Sequence, residues 1–195
     1  MLPPRSEEDE PGMAQPSPAL LRTIRIVDGF SDWSGKAVAW LILPLVFGLA
    51  YEGFSRYLFN APTAWAFDVS YMLYSAIAML GAHYTLMKGA HIRTDILWDK
   101  FTPRTKGRID TVAYVAFFFP AMALLFYASV DEAWRAWQLN ELSEQTAWRP
   151  VLWPFKAIVP ATAALLMIQG VSELLKSLYA ARTGRFIGQV EKIEL

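Results

Sequence analysis

TVAYVAFFFPAMALLFYASV, residues 111–130, runs for 20 residues without a formal charge, and this stretch decides the fold class. The hydrocarbon core of a bilayer is about 30 Å thick, and a helix crosses it with roughly 20 residues. A second stretch, VSYMLYSAIAMLGAHYTLM at 69–87, is charge-free over 19 residues. A soluble helix keeps a polar face, which both stretches lack. The sequence therefore predicts membrane-spanning helices, in which each segment satisfies its own backbone polar groups.

Two further apolar blocks flank this pair. Residues 37–51 are charge-free and reach spanning length by continuing through Glu52 to Phe59. Residues 157–172 are charge-free and reach spanning length by continuing to Leu178. We therefore predict an all-α membrane protein with four transmembrane helices, whose spans lie at about 37–59, 67–88, 110–131 and 156–178.

The distribution of basic residues predicts the orientation of these spans. Lysine and arginine are concentrated before the first span, between spans two and three, and after span four, whereas the other two loops hold few. By the positive-inside rule, both termini lie in the cytoplasm, an N-in/C-in topology. Tryptophans of the third loop then mark the outer interface, where residues 131–144 are expected to form a helix along the membrane surface.

The N-terminal region divides into two parts. Residues 1–18 hold five prolines and an acidic run, which predicts a disordered cytoplasmic tail and is not the pattern of a secretory signal. In residues 19–33, apolar side chains recur at helical spacing, which indicates a short amphipathic interfacial helix or a surface helix that contacts another protein. The membrane domain then covers 19–180, and residues 181–195 form a second cytoplasmic tail.

Composition argues against several functions. The chain has no cysteine, so disulfides, thiolate metal sites and cysteine nucleophiles are excluded. Lysine plus arginine equals aspartate plus glutamate at 18 each, which indicates no nucleic-acid partner. Phosphate-binding loops and a nucleophile elbow are missing from the sequence. We expect no enzyme activity and no cofactor.

The two histidines, His83 and His91, are candidate ligands for haem or metal. A haem held between spans needs axial histidines on two helices, and His83 is the only histidine in the four predicted spans. His91 and Asp95 have a spacing that could bind a metal on a helix, but two ligands make a poor site. We therefore expect neither haem within the chain nor a metal site.

Polar residues near the span ends are the remaining candidates. Glu52 and Arg56 are four residues apart with the acid first, which favours an ion pair on one helix face. Because ionisable residues inside membranes are often functional, a proton or substrate site there is the alternative. Asn60 opens a tight turn before span two. Gln169 on span four is a candidate for a polar contact with a neighbouring subunit.

Several of these motifs occur together in one known family. They resemble, in order and with the four-span pattern, the small permease (Q) subunit of tripartite ATP-independent periplasmic (TRAP) transporters. The resemblance covers about residues 20–180. It is carried by Glu52-x-x-x-Arg56-Tyr57-Leu58-Phe59-Asn60-x-Pro62, Trp65, Gly81-Ala82, Gly89-Ala-His91-Ile-Arg93-Thr-Asp95 and Trp148-Arg-Pro150.

This resemblance implies a subunit of the bacterial inner membrane that scaffolds a large multi-span permease (M) subunit. The complex takes up an organic acid by sodium symport after a periplasmic substrate-binding protein (P) delivers it. The small subunit itself carries no catalytic residue in this family. On this view Glu52, Arg56, Asn60 and Trp65 shape the periplasmic end. His91, Arg93 and Asp95 order the cytoplasmic loop against membrane lipids or the partner.

Three alternatives remain open from the residues alone. A membrane anchor of a redox complex is disfavoured by the missing second histidine in the spans. A small self-sufficient channel or exporter would act as an oligomer of this chain. A membrane enzyme would require a clustered acid, base or nucleophile, which the spans do not display.

Overall fold

The computed structural model describes residues 16–89 and 101–187. This part of the chain contains helices and one isolated β-bridge, which confirms the predicted all-α class. The elements are α1 (Pro18–Ala39), α2 (Ile42–Phe59), α3 (Ala66–Met87), α4 (Pro103–Ala113), a π-helical turn (Tyr114–Phe118), α5 (Phe119–Gln138), α6 (Trp153–Lys156) and α7 (Ile158–Thr183).

Three helical stretches are long and apolar enough to cross a membrane. They are Pro18–Phe59, Pro103–Gln138 and Trp153–Thr183, which contain the predicted spans one, three and four. Helix α3, the predicted second span, is 22 residues long and is not among them. Its tyrosines and His83 lower its mean hydropathy. The count of four spans and the N-in/C-in orientation therefore stay predictions.

Helix α7 lies at the centre of the bundle, in contact with α1, α3, α4 and α5. Its buried residues are mostly small or polar, which lets neighbouring helices approach closely. The closest approach is made by Gly107 of α4. A Cβ at that position would lie 2.7 Å from the Ser177 carbonyl oxygen and closer still to the Ala181 backbone nitrogen. Glycine is therefore required where α4 crosses α7.

Helix α2 lies at the edge of the bundle. None of its 18 residues is buried, and it packs mainly against α3. Large apolar side chains cover its free surface; for example, Phe47 is 70% exposed and Leu58 is 69% exposed. A contiguous apolar surface of this kind is expected to meet lipid or another protein.

The N-terminal helix is longer than predicted and does not stop at residue 33. Helix α1 begins at Pro18, where the Ser17 hydroxyl accepts a hydrogen bond from the backbone nitrogen of Leu20 at 3.3 Å, and it continues to Ala39. It also buries Ile24 and Ser31 in contact with the rest of the bundle. One face of α1 therefore packs within the chain, whereas Phe30 and Trp33 stay exposed at 42% and 69%.

A break at Trp40 separates α1 from α2, so the helix of the predicted first span begins at Ile42. Pro44 is responsible, because it has no N–H to donate to the Trp40 carbonyl and its ring crowds that carbonyl. Leu43 donates to the Trp40 oxygen instead, at 3.2 Å. Pro120 lies two residues after the π-helical turn at the start of α5, and because it has no N–H it cannot donate to the Ala116 carbonyl four residues earlier.

The helix expected at residues 131–144 is present only over residues 131–138, where it continues α5. Helix α5 runs without a break to Gln138, so the charged residues from 131 onward prolong the third predicted span. It ends before Asn140, which has a positive φ of 46°. The following segment, which we call the 139–152 loop, is ordered by two backbone hydrogen bonds between Ser143 and Pro150 and between Leu152 and Glu141, each at 2.8 Å.

Candidate interaction sites at the ends of the helices

Glu52 connects the end of α2 to the start of α3. Its Oε1 accepts a hydrogen bond from Nε of Arg56 at 2.8 Å and also contacts Nη2 of that residue. Its Oε2 accepts hydrogen bonds from the backbone nitrogen of Thr63 at 2.9 Å and from the Thr63 hydroxyl. The Glu52 side chain is 14% exposed, whereas that of Arg56 is 55% exposed. The ion pair expected from the spacing is present, and both carboxylate oxygens of Glu52 accept hydrogen bonds.

Asn60 and Trp65 shape the turn between α2 and α3. Asn60 ends α2 in the left-handed region, with φ 51° and ψ 33°, a conformation that asparagine adopts more readily than most residues. The next backbone nitrogen, of Ala61, donates to the Ser55 carbonyl at 3.0 Å. Trp65 stacks on Tyr51 of α2, with ring centroids 5.9 Å apart. Both residues therefore stabilise the same corner of the bundle as Glu52.

Asp68 has a larger role than its sequence position indicated. It lies in the first turn of α3, where the helix dipole favours a negative charge, and it is only 1% exposed. Its Oδ1 accepts a hydrogen bond from the Ser143 hydroxyl at 2.7 Å, and its Oδ2 accepts one from the Thr146 hydroxyl. Asp68 therefore holds the 139–152 loop against α3. No local pattern indicated these partners, which lie far along the chain.

Lys156 holds the same loop from its other side. Its Nζ lies 2.6 Å from Oε1 of Glu132 on α5 and 2.6 Å from Oε2 of Glu141 in the loop. Close by, Trp134 and Trp137 pack together at 4.8 Å between ring centroids, and both stay half exposed. The result is an ordered, aromatic-rich surface at the end of the bundle that also carries Glu52.

Gln169 forms the centre of a polar network at a different level of the bundle. It is fully buried on α7, and its Oε1 accepts a hydrogen bond from the Ser31 hydroxyl at 2.7 Å. Its Nε2 donates to Oδ1 of Asp28 at 3.0 Å and to Oε1 of Glu173 at 3.1 Å. The amide is therefore used inside the chain and is not displayed on an outer face.

Two further residues complete this Asp28–Gln169 network. Ser172 donates to Oδ1 of Asp28 at 2.7 Å. Lys176 places its Nζ 2.8 Å from Oδ2 of Asp28 and 2.8 Å from Oε1 of Glu173. Together these contacts attach α1 to α7. Asp28 lies off the apolar positions of the predicted amphipathic helix, and its partners on α7 are more than 140 residues away in the chain.

His83 connects α1 to α3. It is 1% exposed; its Nε2 lies 2.8 Å from the Ser34 hydroxyl, and its Nδ1 contacts the Leu80 carbonyl. Both ring nitrogens are thus engaged within the chain. The other three candidates, His91, Arg93 and Asp95, lie outside the described residues.

The polar side chains at these sites form hydrogen bonds and ion pairs with other residues of the same chain. Across the two described ranges, every buried side-chain nitrogen and oxygen atom has a hydrogen-bond partner. In the same ranges, no three histidine, cysteine or acidic side chains come together as a metal site. The polar residues at the helix ends therefore hold helices and one loop in place.

These features define an integral membrane protein whose apolar helices are joined by polar contacts. Over residues 45–180 the chain matches the family described as tripartite ATP-independent periplasmic transporters, DctQ component. The chain belongs to this family, which confirms the resemblance drawn from its motifs. The family is a transporter component and not an enzyme family. No curated protein and no solved structure matches the chain.

Proposed function

We propose that the chain is the small membrane subunit of a TRAP-type secondary transporter in a bacterial inner membrane. In this role it scaffolds the large permease (M) during sodium-driven uptake of an organic acid that a periplasmic binding protein (P) delivers. Membership of the DctQ family over residues 45–180 is the observation that carries the proposal. The pairing of polar side chains within the chain supports a scaffolding role.

Helix α2 is, on this proposal, the surface that the large permease contacts. Helix α2 is long and has no buried residue. Its turn into α3 is held in place by contacts of Glu52 and Trp65. Phe47 and Leu58 are eleven residues apart, close to three full helical turns, so both lie on one face. A rigid helix with a free face of large side chains offers good van der Waals contact, which drives helix association in membranes.

A second surface, formed by the 139–152 loop and the Glu52 corner, is on this proposal the contact for the binding protein. If the topology is N-in/C-in, the 139–152 loop and the Glu52 corner face the periplasm. Asp68 and Lys156 hold this loop without help from a partner. A preformed surface loses little conformational entropy on binding, which supports a docking role for it.

Co-purification of the large permease tests the proposal. We expect the permease to be recovered with the wild-type chain, and recovery to fall at least several-fold with Phe47→Ala combined with Leu58→Ala. The matched control is Tyr127→Ala combined with Leu124→Ala on α5, where exposure is similar at 78% and 70%. Equal recovery of the permease with both double variants would indicate that α2 faces lipid and not the permease. No recovery of the permease with the wild-type chain would contradict the proposed function.

A further inference from the structure

A shallow groove follows the exposed side of α4 into the π-helical turn. Its lining consists of Arg108, Ile109, Val112, Ala113 and Phe117, around a volume of about 380 Å³. All the lining residues except Arg108 are apolar. Nine residues separate the two ends of this lining, which corresponds to ~14 Å of helix, about half the ~30 Å hydrocarbon core. The groove therefore has the depth of one membrane leaflet and a cation at one end.

Arg108 belongs to a group of four exposed arginines. Arg104 lies one turn earlier on α4, Arg182 lies in the last turn of α7, and Arg185 follows that helix. The two helix ends are adjacent, since the Arg104 side chain lies 3.2 Å from the position that a Cβ would occupy at Gly184. Within the described residues, none of the four arginines forms an ion pair.

The acidic side chain nearest to Arg108 in the sequence does not enter this groove. Asp110 lines a neighbouring cleft together with Leu86 and Gly89. The groove thus combines an excess of positive charge with an apolar channel. Arginines one helical turn apart repel each other, and an anion between them would relieve that repulsion.

We propose that this groove binds an anionic phospholipid, with its phosphate at Arg108 and one acyl chain along Val112 and Phe117. Guanidinium groups bind phosphate through two parallel hydrogen bonds. Basic pockets at the cytoplasmic ends of membrane helices are recognised sites for anionic headgroups. An apolar helix of a partner protein would cover the lining but leave the arginines without anions. The site goes beyond the proposed function, because it belongs to this chain whether or not a permease is present.

Native mass spectrometry of the full chain in mild detergent tests the site. Phosphatidylglycerol and phosphatidylcholine with identical acyl chains are titrated separately, and retained lipid is counted. We expect preferential retention of phosphatidylglycerol. We expect Arg108→Gln to reduce this retention about fivefold to tenfold without affecting phosphatidylcholine. Val112→Trp, at a 61% exposed position, fills the groove and reduces retention of both lipids.

Arg135→Gln is the control, because Arg135 lies at the far end of α5 and pairs with Asp131 at 2.8 Å. It should leave lipid retention unchanged. Equal retention of the two lipids by the wild type would overturn the proposal, as would an unchanged Arg108→Gln variant. Displacement of phosphatidylglycerol by millimolar inorganic phosphate would also overturn it, because the site would then take a free anion. So would loss of the lipid when the large permease is bound, since a partner helix would then occupy the groove.

Discussion

Several buried polar side chains among the described residues are paired with residues that lie far away in the chain. Ser31 meets Gln169, and Ser143 meets Asp68. Where water is absent, a polar group without a partner costs several kcal/mol, so each such residue restricts which neighbours its helix can have. These side chains therefore determine which helices pack together, in addition to stabilising them.

Replacing Gln169 by leucine tests this role. The change keeps the approximate size of the side chain but removes both hydrogen-bonding groups, and leaves Ser31 and Asp28 with fewer partners in a buried place. We expect the free energy of unfolding in detergent to fall by about 2–3 kcal/mol. Gln138→Leu, at the exposed end of α5, is the matched control and should change it by less than ~0.5 kcal/mol. A similar effect of both variants would count against the network.

Whether a residue's contacts could be predicted from the sequence depended on how far along the chain its partners lie. The Glu52–Arg56 pair follows from helical spacing alone, and the structure contains it. Asp68 could be recognised as suited to the start of a helix, but its hydroxyl donors lie 75 and 78 residues later. Neither hydroxyl shows any periodic relation to it. Such pairs become visible only when the helices have been assembled.

The contact between α4 and α7 depends on the absence of a side chain at one position. Gly107 lies against the backbone of Ser177 and Ala181, and backbone atoms cannot move aside as a flexible side chain can. The same crossing brings the arginine-bearing ends of the two helices together. The geometry of this contact therefore affects both the stability of the bundle and the proposed lipid site.

Gly107→Ala is expected to weaken this contact. Alanine improves helix propensity by about 1 kcal/mol, but the overlap with backbone atoms forces α4 away from α7 and costs more than it gains. We expect the free energy of unfolding, measured by thermal unfolding in detergent, to fall by about 1–3 kcal/mol. Gly53→Ala in α2, where nothing lies within 4 Å, is the control and should be neutral or slightly stabilising. Unfolding at the same temperature in both variants would show that the crossing tolerates a side chain.

Helix boundaries were less predictable than helix existence. Prolines 44 and 120 could be recognised as points of irregularity, and the structure has a helix break near one and a π-helical turn before the other. The end of α5 was missed because charged residues beginning at Asp131 were interpreted as the start of a new surface element. A helix that leaves hydrocarbon does not have to end there, since charged side chains are soluble in the water that it enters. Residue 140 is where the left-handed conformation finally prevents continuation.

The whole molecule combines a well-packed centre with a nearly bare outer helix. Helix α7 is surrounded by α1, α3, α4 and α5, whereas α2 leaves large apolar side chains uncovered. The membrane class followed from the length of the charge-free stretches, and the DctQ family from the order of motifs between residues 52 and 150. The packing of α1 into the bundle could not be foreseen, because an amphipathic pattern fits a helix at a membrane surface and a helix against protein equally well.

Uptake by reconstituted proteoliposomes is the most direct test of the central claim. Vesicles receive the large permease with or without this chain, the binding protein loaded with substrate is added outside, and an inward sodium gradient is imposed. We expect sodium-dependent uptake with both membrane subunits, and little or none with either one alone. Transport by this chain alone, or full uptake by the permease without it, would contradict the account.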